Sequence, residues 1–145
     1  MNGSLLLLVD DNEDDIFFTK QAIKEAKILN GVRTAADGQE AIEYLSGAGK
    51  FRDRVAFPMP ALLLLDLKMP CKGGFEVLEW IRKQPSLRNL VVVILSTSCE
   101  RADIEKAYQL GANSYLQKPS STEVLAEMMS ALKQYWLTHN QFLTP

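Results

Sequence analysis

The chain is predicted to form an α/β domain, a doubly wound five-stranded parallel sheet, and three observations in its 145 residues carry that reading. Short runs of Leu, Val and Ile at 5–9, 62–65 and 90–95 show no polar alternation, as expected of strands covered on both faces by helices. Between these runs the apolar spacing lengthens to a helical period, so strand and helix alternate five times. The three strongest runs end on Asp10, Asp66 and Ser96. Right-handed crossovers place all strand C-termini on one edge, where ligand chemistry sits in open α/β sheets.

The elements follow in order. After the strand at 5–9, residues 14–29 read as a helix through Ile16, Phe17, Thr19 to Ala22, Ile23, Ala26 and Ile28, stopped by Asn30-Gly31. A shorter, more polar strand at 32–36 precedes Asp37-Gly38, which opens a helix through Ala41, Ile42 and Leu45 to Ser46-Gly47. Residues 47–60, GAGKFRDRVAFPMP, form a long, partly basic connection that reads as functional or as a plain insertion.

After the strand at 62–65, Phe75, Val77, Leu78 and Ile81 mark a helix before Pro85. The strand at 90–95 leads to a helix through Ile104, Ala107, Tyr108 and Leu110, with Gly111 as its C′ residue in positive φ. A strand at 114–117 and a helix at 121–137 complete the domain. Val124, Leu125, Met128, Met129, Leu132, Tyr135 and Trp136 give that last helix one broad apolar face. No internal repeat appears; residues 1–145 read as one domain, with a core over about 5–137 and a tail at 138–145.

Composition narrows the function. A net charge of −2 favours neither nucleic acid nor an anionic membrane as partner, so local clustering matters more than the total. Neither a basic leader with an apolar segment nor an apolar run near 18 residues is present, and the reading is cytoplasmic. Cys71 and Cys99 lack metal-ligand spacing and read as reduced thiols.

The charge that matters lies at the strand ends. Five of the six residues 10–15 are acidic, and Asp10, Asp11 and Asp66 would meet at one edge. Three carboxylates so close repel one another and take up protons unless a cation neutralises them. Mg²⁺ fits best, being a hard ion held by carboxylates, waters and a phosphate oxygen. Lys118 adds a positive charge just past the fifth strand, and Ser96 adds a hydroxyl. Such a set suits a phosphoryl group carried by a carboxylate, with Asp66 the nucleophile and Lys118 offsetting charge on the phosphoryl oxygens.

Four blocks together, VDDNEDD at 9–15, LLLLDLKMP at 62–70, ILSTS at 94–98 and SYLQKP at 114–119, resemble the signature of response-regulator receiver domains, the CheY-like superfamily. The resemblance covers 5 to about 135 and implies a flavodoxin-like (βα)5 sheet in strand order 2-1-3-4-5. It implies that Asp66 is the phosphoacceptor, taking phosphoryl from a sensor histidine kinase. Mg²⁺ would be held by Asp10, Asp11, Asp66 and the backbone carbonyl of Lys68. Ser96 and Lys118 would bind the phosphoryl group, Tyr115 would be the aromatic switch, and Lys118–Pro119 would be a cis bond. Lys68 and Ser98 lie where receivers tune phosphoryl lifetime. The same resemblance implies a signalling domain rather than an enzyme, catalysing only its own phosphorylation and dephosphorylation; no output domain is expected, since the chain stops soon after the fifth helix. DNEDD, the segment 47–60 and the ending YWLTHNQFLTP are similar to stand-alone receivers that partner bacterial phytochromes and related kinases.

Blander readings remain beside these. Glu13, Asp14 and Asp15 read as structural acids favouring the first turn of a helix. Tyr115 is as readily a core aromatic, and His139 a surface residue. Tyr135, Trp136, Phe142 and Leu143 either fold back on the core or form a homodimer contact through the last helix and tail, the reading leaning to the contact. A Mg²⁺-dependent phosphohydrolase with an aspartyl nucleophile is the alternative function, but such dehalogenase-like enzymes carry a second Asp two residues after the first, where this chain has Asn12. Nucleotide or flavin binding is disfavoured because DDNEDD would repel a phosphate.

Overall fold

The computed structural model describes residues 5–29 and 31–142. Five strands, β1 (Leu5–Val9), β2 (Val32–Ala35), β3 (Pro60–Leu65), β4 (Val91–Ser96) and β5 (Ser114–Gln117), form one sheet in the order β2-β1-β3-β4-β5. All four pairings are parallel. Every residue of β1 and β4 is buried, the two-sided burial that their unbroken apolar runs predict.

Strand periodicity sorts the core into two layers. Leu7, Val9, Leu63, Leu65, Val92 and Ile94 pack under α2 (Gly38–Ser46), α3 (Gly74–Lys83) and α4 (Arg101–Gln109). Leu6, Leu8, Leu62, Leu64, Val93 and Leu95 pack under α1 (Glu13–Glu25) and α5 (Thr122–Leu132). Helices therefore cover both faces, and the polar strand ends are left for the edge.

Caps explain where the helices stop and start. Asn12 and Asp37 accept hydrogen bonds from the third residue beyond them, at 2.9 and 2.8 Å, and so open α1 and α2. Gly111 takes φ +104 after α4, as its position predicts. Helix α1 ends earlier than the sequence reading, at Glu25 rather than near 29. Lys27 adopts φ +58, its N–H bonds Lys24 O at 3.0 Å, and Ile28 N–H bonds Ile23 O at 3.2 Å. That is a Schellman ending with lysine where glycine is usual. The expected stop at Asn30 falls on a residue outside the described ones. Phe17, placed in the apolar stripe by spacing, is 61% exposed.

Segment 47–60 is well anchored. A 3-10 turn at Gly49–Phe51 buries Phe51, whose ring meets Tyr44 and Phe57 at 5.0 and 5.1 Å. The Arg54 guanidinium donates to the carbonyls of Tyr44, Leu45 and Phe57 at 2.8–3.1 Å, and Tyr44 Oη donates to Pro58 O. The insertion thus caps the end of α2 and extends the core.

Helix α5 is shorter than its apolar stripe. After Leu132 the chain widens into a π-type turn at Lys133–His139. Trp136 and Leu137 pack on the α1/α5 layer, so this part folds back on the core, whereas Tyr135 and Phe142 are exposed. Leu143 lies outside the described residues. Among the described residues no helix is long and apolar enough to cross a membrane.

Candidate functional site

Register assembles the site. Val9 pairs with Leu65, so Asp10 and Asp66 leave adjacent strands side by side, and Ser96 pairs with Gln117, one residue before Lys118. Asp10 and Asp66 are buried, Asp11 is exposed, and carboxylate oxygens of the three lie within 4.8 Å of one another. An octahedral Mg²⁺ at roughly 2.1 Å spaces its ligands by about 3–4 Å, so a small contraction or one intervening water fits the ion.

Close approach behind Asp66 depends on glycine. Gly74 N–H bonds Leu67 O at 2.9 Å, and a Cβ on Gly74 would collide with the carbonyl of Asp66. The start of α3 therefore lies against the backbone of the acidic strand end.

Hydrogen bonds divide the two oxygens of Asp66. Oδ1 accepts from Leu67 N–H at 2.9 Å. Oδ2 lies 3.7 Å from Lys118 Nζ, beyond hydrogen-bond reach. Burial pushes the Asp66 carboxyl up to about 6; the Lys118 charge opposes this, Asp10 and Asp11 add to it, and the Leu67 hydrogen bond pulls it back. Holding the carboxylate form at neutral pH is therefore costly without a cation, which is the electrostatic signature of a site suited to a hard metal.

Lys118 is the organising cation, with a side chain only 10% exposed. Its backbone N–H bonds Ser96 O at 2.7 Å, and its Nζ donates to Asp10 Oδ2 at 2.7 Å and to Asp15 Oδ2 at 2.9 Å. Burial alone would lower the ammonium pKa, but the hydrogen bonds to Asp10 and Asp15 and the charge of Asp66 outweigh it and raise it. The Lys118–Pro119 bond is trans, correcting the cis expectation; the described chain has no cis peptide. The ammonium enters the site all the same, drawn by these carboxylates.

The sequence makes Asp15 a helix-start acid, and the structure gives it a second part. Its backbone N–H does bond the Asn12 cap, but its carboxylate joins the site. Glu13 and Asp14 remain exposed in the first turn. The signal that could have found Asp15 is its place in the first turn of the helix that follows Asp10.

Around the rim, Ser96 is fully buried, and its Oγ accepts from Ser98 N–H at 3.3 Å. Tyr115, half-buried against the α3/α4 layer, donates its hydroxyl to Ser98 O at 2.8 Å. Ser98 Oγ donates to Asp103 Oδ2 at 2.5 Å, and the Lys68 ammonium approaches the same carboxylate at 3.8 Å. Cys71 and Cys99 are free and exposed on loops at this edge.

A doubly wound 2-1-3-4-5 sheet with paired acids, a hydroxyl and a lysine at its carboxyl edge defines the receivers of two-component signalling. Residues 6–130 match the response regulator receiver domain, and the chain belongs to that family. It is 33% identical over 133 residues to response regulator Rcp1 of Synechocystis, covering 92% of this chain and 88% of Rcp1. The phosphorylated cyanobacterial phytochrome response regulator RcpA superposes with TM-score 0.90 at 33% identity, covering 99% of this chain and 100% of RcpA. RPA3017, a response regulator in red light signalling of R. palustris, superposes with TM-score 0.92 at 32% identity, covering 98% and 99%.

Proposed function

We propose that this receiver is a phosphoacceptor switch that takes phosphoryl from a histidine of a sensor kinase onto Asp66. The observation that carries the reading is the meeting of Asp10, Asp11 and Asp66 within 4.8 Å, with Lys118 Nζ 3.7 Å from Asp66 Oδ2. The kinase is of the bacterial phytochrome type, a reading supported by the red-light and phytochrome regulators to which the chain is similar. The protein works in the cytoplasm and signals through altered protein–protein contacts. Its only catalysis is of its own phosphorylation and dephosphorylation.

Asp66 Oδ2 attacks phosphorus because Oδ1 is already engaged by Leu67 N–H. The phosphorus–nitrogen bond of the donor histidine breaks as the new phosphorus–oxygen bond forms, and the electron pair returns to the imidazole nitrogen. Asp10, Asp11, Asp66 and the Lys68 carbonyl would hold Mg²⁺, which supplies positive charge against the carboxylates and the transferring group. Lys118 would also offset negative charge on the phosphoryl oxygens, and the Ser96 hydroxyl would donate to one of them.

Movement of Ser96 then passes to Tyr115. The Ser96 hydroxyl accepts from Ser98 N–H while the Ser98 carbonyl holds the Tyr115 hydroxyl, so one short loop links the two groups. Phosphorylation adds charge and acceptor oxygens, which favour the arrangement that bonds them. The α4–β5–α5 surface is the one that responds.

Incubation with Mg²⁺ and acetyl phosphate, followed by acid precipitation and base treatment, tests the assignment. Label on the parent that is base-labile and lost in Asp66→Asn is expected. Equal labelling of Asp66→Asn would overturn the phosphoacceptor assignment, and steady turnover of a phosphate ester would point to a hydrolase instead.

A further inference from the structure

Four residues close a ring at the carboxyl edge. Asp10 Oδ1 accepts from Asn12 N–H at 3.0 Å, and Asn12 Oδ1 accepts from Asp15 N–H at 2.9 Å. Asp15 Oδ2 then accepts from Lys118 Nζ at 2.9 Å, and Nζ donates back to Asp10 Oδ2 at 2.7 Å. The first turn of α1 is thereby tied to the strand end that precedes it. A helix-start acid is turned into a second counter-ion for the half-buried lysine.

That arrangement spends two of the three donors of the ammonium on carboxylates other than Asp66. Asp10 is buried beside Asp66 and belongs to the acid cluster itself. Asp15 is different: its side chain is 37% exposed, it lies outside that cluster, and Lys118 is its ion-pair partner. A phosphoryl oxygen on Asp66 that paired with Lys118 would share one ammonium with the Asp15 carboxylate. Two anions on one cation repel, and each weakens the other's hold on it.

We propose that Asp15 competes with the phosphoryl group for Lys118 and so biases the switch toward its unphosphorylated form. It is a positioning residue, acting only through the ammonium. This inference rests on Asp66 being the phosphoacceptor and adds a device that sets how firmly the phosphorylated state is held. A contact stronger in the resting state than in the phosphorylated one shifts the equilibrium by that difference alone. Removing the charge of Asp15 should therefore favour the phosphorylated arrangement.

The test measures equilibrium binding of beryllofluoride, a phosphoryl mimic, at saturating Mg²⁺. Asp15→Asn is expected to bind about 3- to 10-fold more tightly than the parent, in keeping with one partly exposed ionic contact. Asp15→Glu should return most of the way to the parental affinity. In a Lys118→Met background the effect of Asp15→Asn should vanish, which a general disturbance of α1 would not produce. Urea midpoints confirm that each variant is folded, and Asp15→Ser serves if Asp15→Asn is not. Unchanged or weaker beryllofluoride binding in the charge-removed variant, or an effect that persists without Lys118, overturns the proposal. Failure of the parent itself to bind beryllofluoride, or binding retained in Asp66→Asn, would instead overturn the phosphoacceptor reading.

Discussion

Two half-buried cations, Arg82 and Lys118, stand in opposite kinds of surroundings. Arg82, on α3, donates to the carbonyls of Gly111, Arg88 and Leu90 and to the Asn113 side chain at 2.7–3.0 Å. Neutral acceptors surround it in the fork geometry a guanidinium offers, and burial lowers its pKa. Lys118 is ringed by charge instead, with Asp10 and Asp15 bonded to it and Asp66 just out of reach. Acids outnumber the ammonium there, and burial, with Asp10 and Asp11 adding to it, raises the Asp66 pKa despite the Lys118 charge. Arg82 is satisfied and holds loops together; the Lys118 edge is unbalanced and suited to receive a cation and a phosphoryl group.

The largest expected effect comes from the satisfied side. Arg82→Ala should cost about 3 kcal/mol or more of stability, because several carbonyls between α3, β4 and the turn after α4 lose their donor together. Urea unfolding measures this, and a loss under about 1 kcal/mol would show that water replaces the guanidinium readily.

On the unbalanced side the sign reverses. The Asp66 pKa is raised from 3.8 to about 6, so the folded state binds the proton more tightly than the unfolded chain does. The Asp66 contribution to metal-free stability should then be most favourable below about pH 4, fall as pH rises through about 6, and level off above, a trend read as the difference between the parent and Asp66→Asn. Asp66→Asn removes this cost and should stabilise the metal-free protein by about 1–3 kcal/mol at pH 7.5, with little gain near pH 4. Mg²⁺ should raise the melting temperature of the parent more than that of the variant. A parent as stable as Asp66→Asn at pH 7.5 in EDTA would dissolve the contrast between the two regions.

Smaller effects sharpen the comparison. Gly111→Ala should cost about 1–2 kcal/mol, since φ +104 is strained for any side chain and a Cβ would meet Arg82 Nε at 2.9 Å. Gly49, also in positive φ but with open space around it, should cost less when changed to Ala. Thermal melts of the two variants separate backbone strain from crowding of the guanidinium. Tyr44→Phe should cost about 1 kcal/mol by removing the hydroxyl's bond to Pro58 O, a local loosening of 47–60 that leaves acetyl phosphate labelling unchanged.

Much of this architecture could be read in one dimension. Short apolar runs rich in Leu, Val and Ile, without alternation, are the type expected for two-sided strands, and parallel crossovers put their ends on one edge, so sequence alone brings Asp10, Asp66, Ser96 and Lys118 together. Asp37 before Gly38, and Gly47 and Gly111 after their helices, are local signals read within a few residues.

Long-range geometry decided the rest. Lysine at the αL position after α1 hid a helix end that glycine would have announced, because Ile28 packs with the α1/α5 core and holds the turn. Nothing in the local sequence marks Arg54 or Arg82, and only folding surrounds them with carbonyls. Segment 47–60 could not be judged from its length, since its anchorage depends on Phe51 finding Tyr44 and Phe57. Asp15 satisfied a local rule as a helix-start acid, yet its carboxylate meets a lysine 103 residues away because α1 packs against α5, and Lys118 lies in the loop that leads into α5. Sequence by itself determined which residues line the strand ends, since hydrophobic period and chirality act locally; tertiary packing alone decided which charges would share one cation.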